Sequence, residues 1–393
     1  MLDFVFHSPT YFQFGRDAEL EVGNIVKMFH GSKILIHYGG GSVVKSGLLD
    51  RVKDVLTQNN IDFVELGGVK PNPRSGLIYE GIELCRNEKV DMILAVGGGS
   101  VIDSAKAIGI GVLYDGDFWD FYSKKAVAQA SIPVGSILTI AAAGSEASFG
   151  SVVSNEDLDN LKRDTGSDCM KPLFCIMNPQ LTTTLPAYQT ACGITDMIAH
   201  ILERYFTTST DVSITDRIAE GLLLSIIETA PYLMENLTDY EARANIMWAG
   251  TQAHNNSCGV GRNHDWNSHN IEHELSSLYD VAHGAGLAVI MPAWMDFVME
   301  YDIPRFVQFA TRVWGCELDE AHPEKTAKEG IEAFRRFLRG IGMPLDFEEL
   351  GAKEEDIDLL VQRHGVGDGV TWGLKPLTRE DITQIYKIAA IKR

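Results

Sequence analysis

The sequence predicts a doubly wound α/β domain followed by an all-helical domain. Three observations predict it. Short apolar runs alternate with helix-period patterns up to about residue 185, strand-like runs then stop, and helical patterns follow one another from there on. The division is expected at residues 1–185 and 186–393.

Lys33–Tyr38 (KILIHY) reads as a buried strand, closed by Gly-Gly-Gly-Ser at 39–42. Val44–Gln58 repeats apolar residues at helical spacing, Phe63–Leu66 is a second strand, and Leu77–Glu88 is helical. Asp91–Val96 (DMILAV) is another buried strand and runs into a second Gly-Gly-Gly-Ser; Ser131–Ile140 and Pro172–Pro179 supply two more. Strands alternating with helices imply βαβ units and a mainly parallel, Rossmann-like sheet. Tyr188–Tyr205, Ile214–Asn236, Glu241–Asn255 and Trp266–Tyr279 then read as successive helices. There is no long internal repeat and no low-complexity segment.

At 393 residues the chain is long enough for two domains, each with its own core. Its 45% hydrophobic and 22% charged residues are the profile of a globular enzyme. A formal charge of −20 argues against nucleic acid or an anionic membrane as a partner, since both require a basic surface. The six cysteines form no CxxC pair, so reduced core residues and no disulfides are expected. The opening MLDFVFHSPTYFQFG lacks a basic n-region and a cleavage site, and no apolar run approaches the roughly 20 residues of a membrane span. A cytoplasmic location is the expectation.

Two constellations carry chemistry. Asp196 and His200 stand four apart in ACGITDMIAHILERYF, which puts both on one helical face. WNSHNIEHELSSLYDVAHG then holds His269, His273 and His283, three of only eleven histidines. Any one of these could be an ordinary packed histidine; together, opposite an Asp/His pair, they point to a metal. Mixed carboxylate and imidazole donors suit Fe2+, Zn2+ or Mn2+. Such an ion polarises a carbonyl oxygen or lowers the pKa of an alcohol, which is the help hydride transfer needs. A competing pattern is His269-x-x-Glu272-His273, the inverted zinc-peptidase motif. It leaves the glycine-rich first half without work.

The second constellation is AVGGGSVIDSAKAIG (Ala95–Gly109): a buried strand, a tight glycine turn and a helix start. Glycines admit a pyrophosphate to the backbone N–H groups, and the helix dipole favours it. Ser100 either donates to a phosphate or caps the helix with Asp103. Gly-Gly-Gly-Ser is not the usual G-x-G-x-x-G fingerprint, and any tight turn could use it.

On these residues the chain resembles the iron-containing (group III) alcohol dehydrogenases, in particular their butanol dehydrogenase and broad-range aldehyde reductase branch. The resemblance rests on YGGGSVVKSGLLDRV, GVKPNPR, AVGGGSVIDSAKAIG, LPAYQTACGITDMIAHILERYF and IEHELSSLYDVAHGAGLAVIMPAWM, and spans nearly the whole chain. It implies that Asp196, His200, His269 and His283 hold the metal, Fe2+ before Zn2+ or Mn2+. His273 becomes a non-ligand beside nicotinamide and substrate, a catalytic group for proton relay or positioning. Cofactor contacts fall on Gly39, Gly40, Gly41, Ser42, Asn72, Gly98, Gly99, Ser100, Asp103, Thr139, Lys162, Thr182 and Leu185. The resemblance further implies a homodimer, small alcohols and aldehydes as substrates, and metal and nicotinamide meeting in a cleft. Members that use NAD carry an Asp where Gly39 stands, so NADP(H) is expected over NAD(H). Ala143 and Ser148 stand where the family usually has Thr and Asn, and Asn178-Pro179 replaces Asp-Pro. A related fold also hosts metal-dependent lyases acting on sugar phosphates, but segment 185–295 is poor in the lysines and arginines such substrates need.

Overall fold

A computed structural model describes residues 1–393. The chain divides into two compact units, His7–Leu185 with Thr238–Asn255, and Met1–Phe6 with Pro186–Leu237 and Asn256–Arg393. Two segments therefore lie outside the contiguous division at 185/186. The helix expected at Glu241–Asn255 packs on the α/β unit, and the first six residues join the helical one.

The α/β unit contains strands β1 (Tyr11–Phe14), β2 (Lys33–Gly39), β3 (Asp62–Val69), β4 (Met92–Gly97), β5 (Val134–Leu138), β6 (Gly150–Asn155), β7 (Leu161–Gly166) and β8 (Phe174–Met177). Its helices are α1 (Val22–Met28), α2 (Ser42–Lys45), α3 (Leu48–Gln58), α4 (Ser75–Glu88), α5 (Gly99–Val112) and α6 (Trp119–Tyr122). Six strands form a parallel sheet in the order β1-β8-β5-β4-β2-β3, and β6 and β7 pair as an antiparallel hairpin. The apolar runs are unbroken because both faces are covered. In β2 and β4, Ile34, Ile36, Met92, Leu94 and Val96 enter one core layer, while Leu35, Ile93 and Ala95 enter the other. The single helix expected over 44–58 breaks at Gly47, whose φ of 70° ends one helix and starts the next. β1, β6 and β7 escaped the sequence because their runs, YFQF, GSVVSN and LKRDTG, carry no continuous or alternating apolar pattern of useful length.

The chain runs from β2 outward to β3, then returns to β4 on the other side of β2 and continues to β5. The order reverses between β2 and β4, which makes their carboxyl ends the switch point where open α/β sheets bind ligands. Both Gly-Gly-Gly-Ser segments follow these two strands.

Later helices are α7 (Ala187–Tyr205), α8 (Ser213–Glu235), α9 (Tyr240–His254), α10 (Asn267–Tyr279), α11 (His283–Val298), α12 (Ile303–Val313), α13 (Pro323–Gly340), α14 (Phe347–Leu350), α15 (Ile357–His364) and α16 (Arg379–Ala390). α9 is the helix carried by the α/β unit, where Thr251 donates a hydrogen bond to the buried Glu146 carboxylate at 2.6 Å. In the helical unit α11 packs against α7, α10 and α16. Its sequence HGAGLAVIMPAWM is apolar all round, as a central helix must be. No helix is long and apolar enough to cross a membrane.

Candidate active site

The metal-type residues all lie in the helical unit. On α7, Asp196, His200 and Glu203 follow at i, i+4 and i+7, so one helical face carries all three. The sequence reading found the first two; Glu203 was legible by the same spacing. It is fully buried and holds the start of α10. Its Oε2 accepts from the Trp266 N–H at 2.7 Å. Its Oε1 accepts from the His269 N–H at 3.0 Å, from His269 Nδ1 at 2.7 Å and from the Ser268 hydroxyl. These bonds fix Trp266 in the left-handed region, φ 73°, a costly conformation for a bulky side chain.

A carboxylate can only accept, so the neutral His269 that binds a metal keeps its proton on Nδ1 and offers its lone pair at Nε2. The same logic orients the other two imidazoles. His283 donates from Nδ1 to Glu272, which also accepts from the Ser276 hydroxyl. His200 donates from Nδ1 to the Asp196 carbonyl at 2.9 Å. Each histidine thus presents Nε2 as a donor atom for a metal, oriented by a second partner as is usual in metal sites.

The donor atoms converge. One ligand atom each of Asp196, His200 and His269 lie within 4.8 Å of one another. Asp196 Oδ1 is 3.9 Å from both His269 Nε2 and His283 Nε2. Two atoms each about 2.1 Å from one ion can be at most about 4.2 Å apart. Asp196 Oδ1 is buried with only His200 Nδ1 beside it at 3.0 Å, and His269 Nε2 is buried without a hydrogen-bond partner, a state that costs free energy unless a cation takes the lone pairs. The electrostatics agree. Burial disfavours charge on His269, yet the flanking Asp196 and Glu203 push its pKa up to about 9. Burial would raise Asp196, but the neighbouring histidines hold it well below the usual carboxylate range. The cluster is built to hold positive charge, and a divalent ion meets that need by displacing a proton. The residues fit the metal.

Gly284 and Gly286 permit this approach of three helices. A Cβ at Gly284 would come within 2.1 Å of the Cys192 carbonyl oxygen, and one at Gly286 within 2.3 Å of Glu272 Oε1. His273 stands one turn after His269, its ring 5.5 Å from that of His283. Glu272, the base of the competing peptidase motif, is fully buried and spends its carboxylate on Ser276 and His283. It is a support for a ligand, and nothing in the site favours the peptidase reading.

The nucleotide-type residues lie in the α/β unit. Gly39 to Ser42 and Gly98 to Ser100 follow β2 and β4 at the switch point. At the start of α5 the Val101 and Ile102 N–H groups are bonded to the Gly98 carbonyl at 3.0 and 3.2 Å, while those of Gly99 and Ser100 have no carbonyl one turn earlier in the helix and can face an anion. A Cβ added at Gly40, Gly41 or Gly99 would meet nothing within 4 Å, so the backbone is open to a ligand there. Asn72 occupies the left-handed turn after β3, φ 52°, and Thr139 follows β5 with its N–H on the Gly97 carbonyl at 3.0 Å. These positions form one row along the carboxyl edge of the sheet, and they fit a dinucleotide. Asp103 is engaged otherwise: its carboxylate accepts from the Ser145 hydroxyl at 2.5 Å and the Val152 N–H at 2.9 Å. Lys162 is buried on the β6–β7 hairpin. Thr182 donates to the Pro179 carbonyl at 2.7 Å in the turn after β8, and the Leu185 N–H is tied back to Thr182.

Comparison with known proteins agrees with this geometry. The iron-containing alcohol dehydrogenase model matches residues 9–179, and the model for the C-terminal part of the Fe-containing alcohol dehydrogenase family matches residues 190–390. The chain is 40% identical to NADH-dependent butanol dehydrogenase A of Clostridium acetobutylicum, over 98% of this chain and 99% of that protein. It is 36% identical to the NADPH-dependent aldehyde reductase YqhD of Escherichia coli, over 93% and 94%. The structure of NADH-dependent butanol dehydrogenase A from Thermotoga maritima superposes with a TM-score of 0.96 at 40% identity, covering 100% of this chain and 99% of that one. The chain belongs to the iron-containing alcohol dehydrogenase family. It is an oxidoreductase that works with a metal and a nicotinamide cofactor.

Proposed function

We propose that the protein reduces small aldehydes to primary alcohols, and catalyses the reverse reaction, with NADP(H) favoured over NAD(H) and Fe2+ as its metal. The convergence of the buried Asp196 Oδ1 and His269 Nε2, 3.9 Å apart, carries the reading. When bound, the metal supplies Lewis-acid polarisation of the substrate oxygen and the nicotinamide supplies or accepts hydride. The chain's own residues do the rest. Asp196, His200, His269 and His283 hold the ion, and Glu203 and Glu272 fix two of the imidazoles in the ligating tautomer. His273 adjoins the ligand set without belonging to it, so its imidazole is the group to move a proton to or from the substrate oxygen. The glycine turns after β2 and β4 take the dinucleotide backbone.

Cofactor preference turns on Gly39. NAD enzymes commonly place a carboxylate at such a strand end, where it accepts from the adenosine ribose. No carboxylate stands there, and the Ser42 hydroxyl with exposed Lys45 suits a 2′-phosphate. The relatives' names include both an NADH- and an NADPH-dependent enzyme. A cytoplasmic homodimer remains our assignment. Support for pairing through the α/β unit is the edge strand β1, which carries the half-exposed aromatics Tyr11 and Phe14 and offers unpaired backbone. Steady-state turnover of iron-loaded protein with NADPH and NADH across a panel of aldehydes tests the function. Aldehyde-dependent oxidation with higher kcat/KM for NADPH is expected. No oxidation of either nucleotide with any aldehyde rejects the reading.

A further inference from the structure

One buried charge in the α/β unit has no part in the chemistry above. Lys106, on α5 two turns beyond the glycine turn, is fully buried. Its ammonium donates to three carbonyls, Ser145 at 2.7 Å, Gly150 at 2.8 Å and Ser148 at 3.0 Å. It also meets the hydroxyls of Ser145 and Ser148 at 3.0 and 3.3 Å. Five oxygens on three N–H groups is a coordination shell of the kind a bare cation takes. Without the charge, three buried carbonyl dipoles would point at one another, which costs free energy for each unmet acceptor. Burial pulls the Lys106 pKa down to about 8, and Asp103 and Glu146 oppose it, so the group is charged at neutral pH.

The caged segment begins at Thr139, whose N–H is bound to Gly97 at the end of β4. At Ser145 its hydroxyl donates to Asp103 on α5 at 2.5 Å. The segment is thus fastened at its start and at its middle to the elements that bear the second glycine turn. We propose that Lys106 is a positioning residue for the nicotinamide half of the cofactor, an internal cation that gives segment 139–150 the shape against which that half binds. The inference rests on the dinucleotide site proposed above. It assigns the adenosine and pyrophosphate half to the glycine turns, which do not depend on Lys106.

Equilibrium binding separates the two halves. Lys106→Met keeps the aliphatic stem and removes the charge. For this variant, ADP-ribose and its 2′-phosphate should bind within about twofold of the unaltered protein, whereas NADH and NADPH should bind about tenfold more weakly or worse, the loss of charged hydrogen bonds that shape the site. Equal weakening of all four ligands, or no change in any, overturns the proposal. If Lys106→Met does not fold, Ser145→Ala, which removes the hydroxyl's contacts to Lys106 and Asp103 and keeps the ammonium and the three carbonyls, should show the same split at smaller size. Equal weakening of all four ligands there, or no change in any, overturns it too. Binding of none of the four by the unaltered protein rejects the dinucleotide site itself, and the proposal with it.

Discussion

Replacing Glu203 by Gln tests whether the metal site depends on a residue that never touches the ion. The substitution is nearly isosteric, and the carboxylate it removes accepts four hydrogen bonds. A glutamine oxygen placed at the Oε1 position keeps Ser268 and both His269 donors, but its NH2 then faces the Trp266 N–H. Turned the other way, the NH2 faces three donors. The better arrangement leaves one buried N–H unmet, worth about 1–3 kcal/mol of stability. It also replaces a charged acceptor on His269 Nδ1 by a neutral one, which lowers the basicity of Nε2. Loss of such a support commonly weakens metal binding by about 10–100-fold, or about 1.4–2.7 kcal/mol. Competition for Fe2+ or Zn2+ against a chromogenic chelator measures this, with circular dichroism as the check on folding. A folded Glu203→Gln variant with unaltered metal affinity would refute the role given to Glu203.

Three further outcomes are expected. His273→Ala should retain its full metal content while turnover falls by about 10²-fold, the size of a lost general acid; metal loss on the scale of a ligand variant would make His273 a ligand and break the assignment. Gly39→Asp should weaken NADPH use about tenfold, or about 1.4 kcal/mol, and NADH use much less. The site admits the side chain, since a Cβ there sits in ordinary contact at 3.5 Å from the Val69 carbonyl oxygen; an unchanged NADPH/NADH ratio counts against the reading of the first glycine turn. His37, fully buried in β2, donates from Nδ1 to the Leu66 carbonyl and accepts from the Ser104 hydroxyl, and burial lowers its pKa to about 4. The unfolded chain takes up this proton near pH 6.5 and the folded one only near pH 4, so its contribution is complete above pH 6.5 and lost as the pH falls toward 4. Urea unfolding of the metal-free protein should therefore show about 2 kcal/mol lost from this group between pH 7 and 5, a slope that His37→Gln removes; identical slopes in both proteins would show that His37 is not the source.

Much of this architecture is legible in the residues because the determining pattern is local. A continuous run such as Asp91–Val96 can only be a strand covered on both faces, and Asp196 and His200 share a face by helical spacing alone. What is hidden is what depends on distant partners. The helix 240–254 gives no sign that it belongs to the α/β unit, because that follows from Thr251 meeting Glu146, over a hundred residues earlier. β6 and β7 exist because they pair with each other and lie on α5 and α6 respectively, not because their own residues alternate strongly. Glu203 continued a stripe already in view and was missed because a third polar residue on a helix is usually a solvated one. Lys106 reads as an ordinary helix lysine until the three carbonyls that converge on it are placed.

The central claim is that Asp196, His200, His269 and His283 bind one metal ion that the reduction of aldehydes requires. The most direct test is paired measurement of metal content and NADPH-dependent aldehyde reduction in the unaltered protein and in His269→Ala. The unaltered protein should carry about one divalent ion per chain, and the variant, folded by circular dichroism, should lose most of its metal and its aldehyde reduction together. Full metal occupancy in His269→Ala, or reduction that continues without metal, would contradict the account.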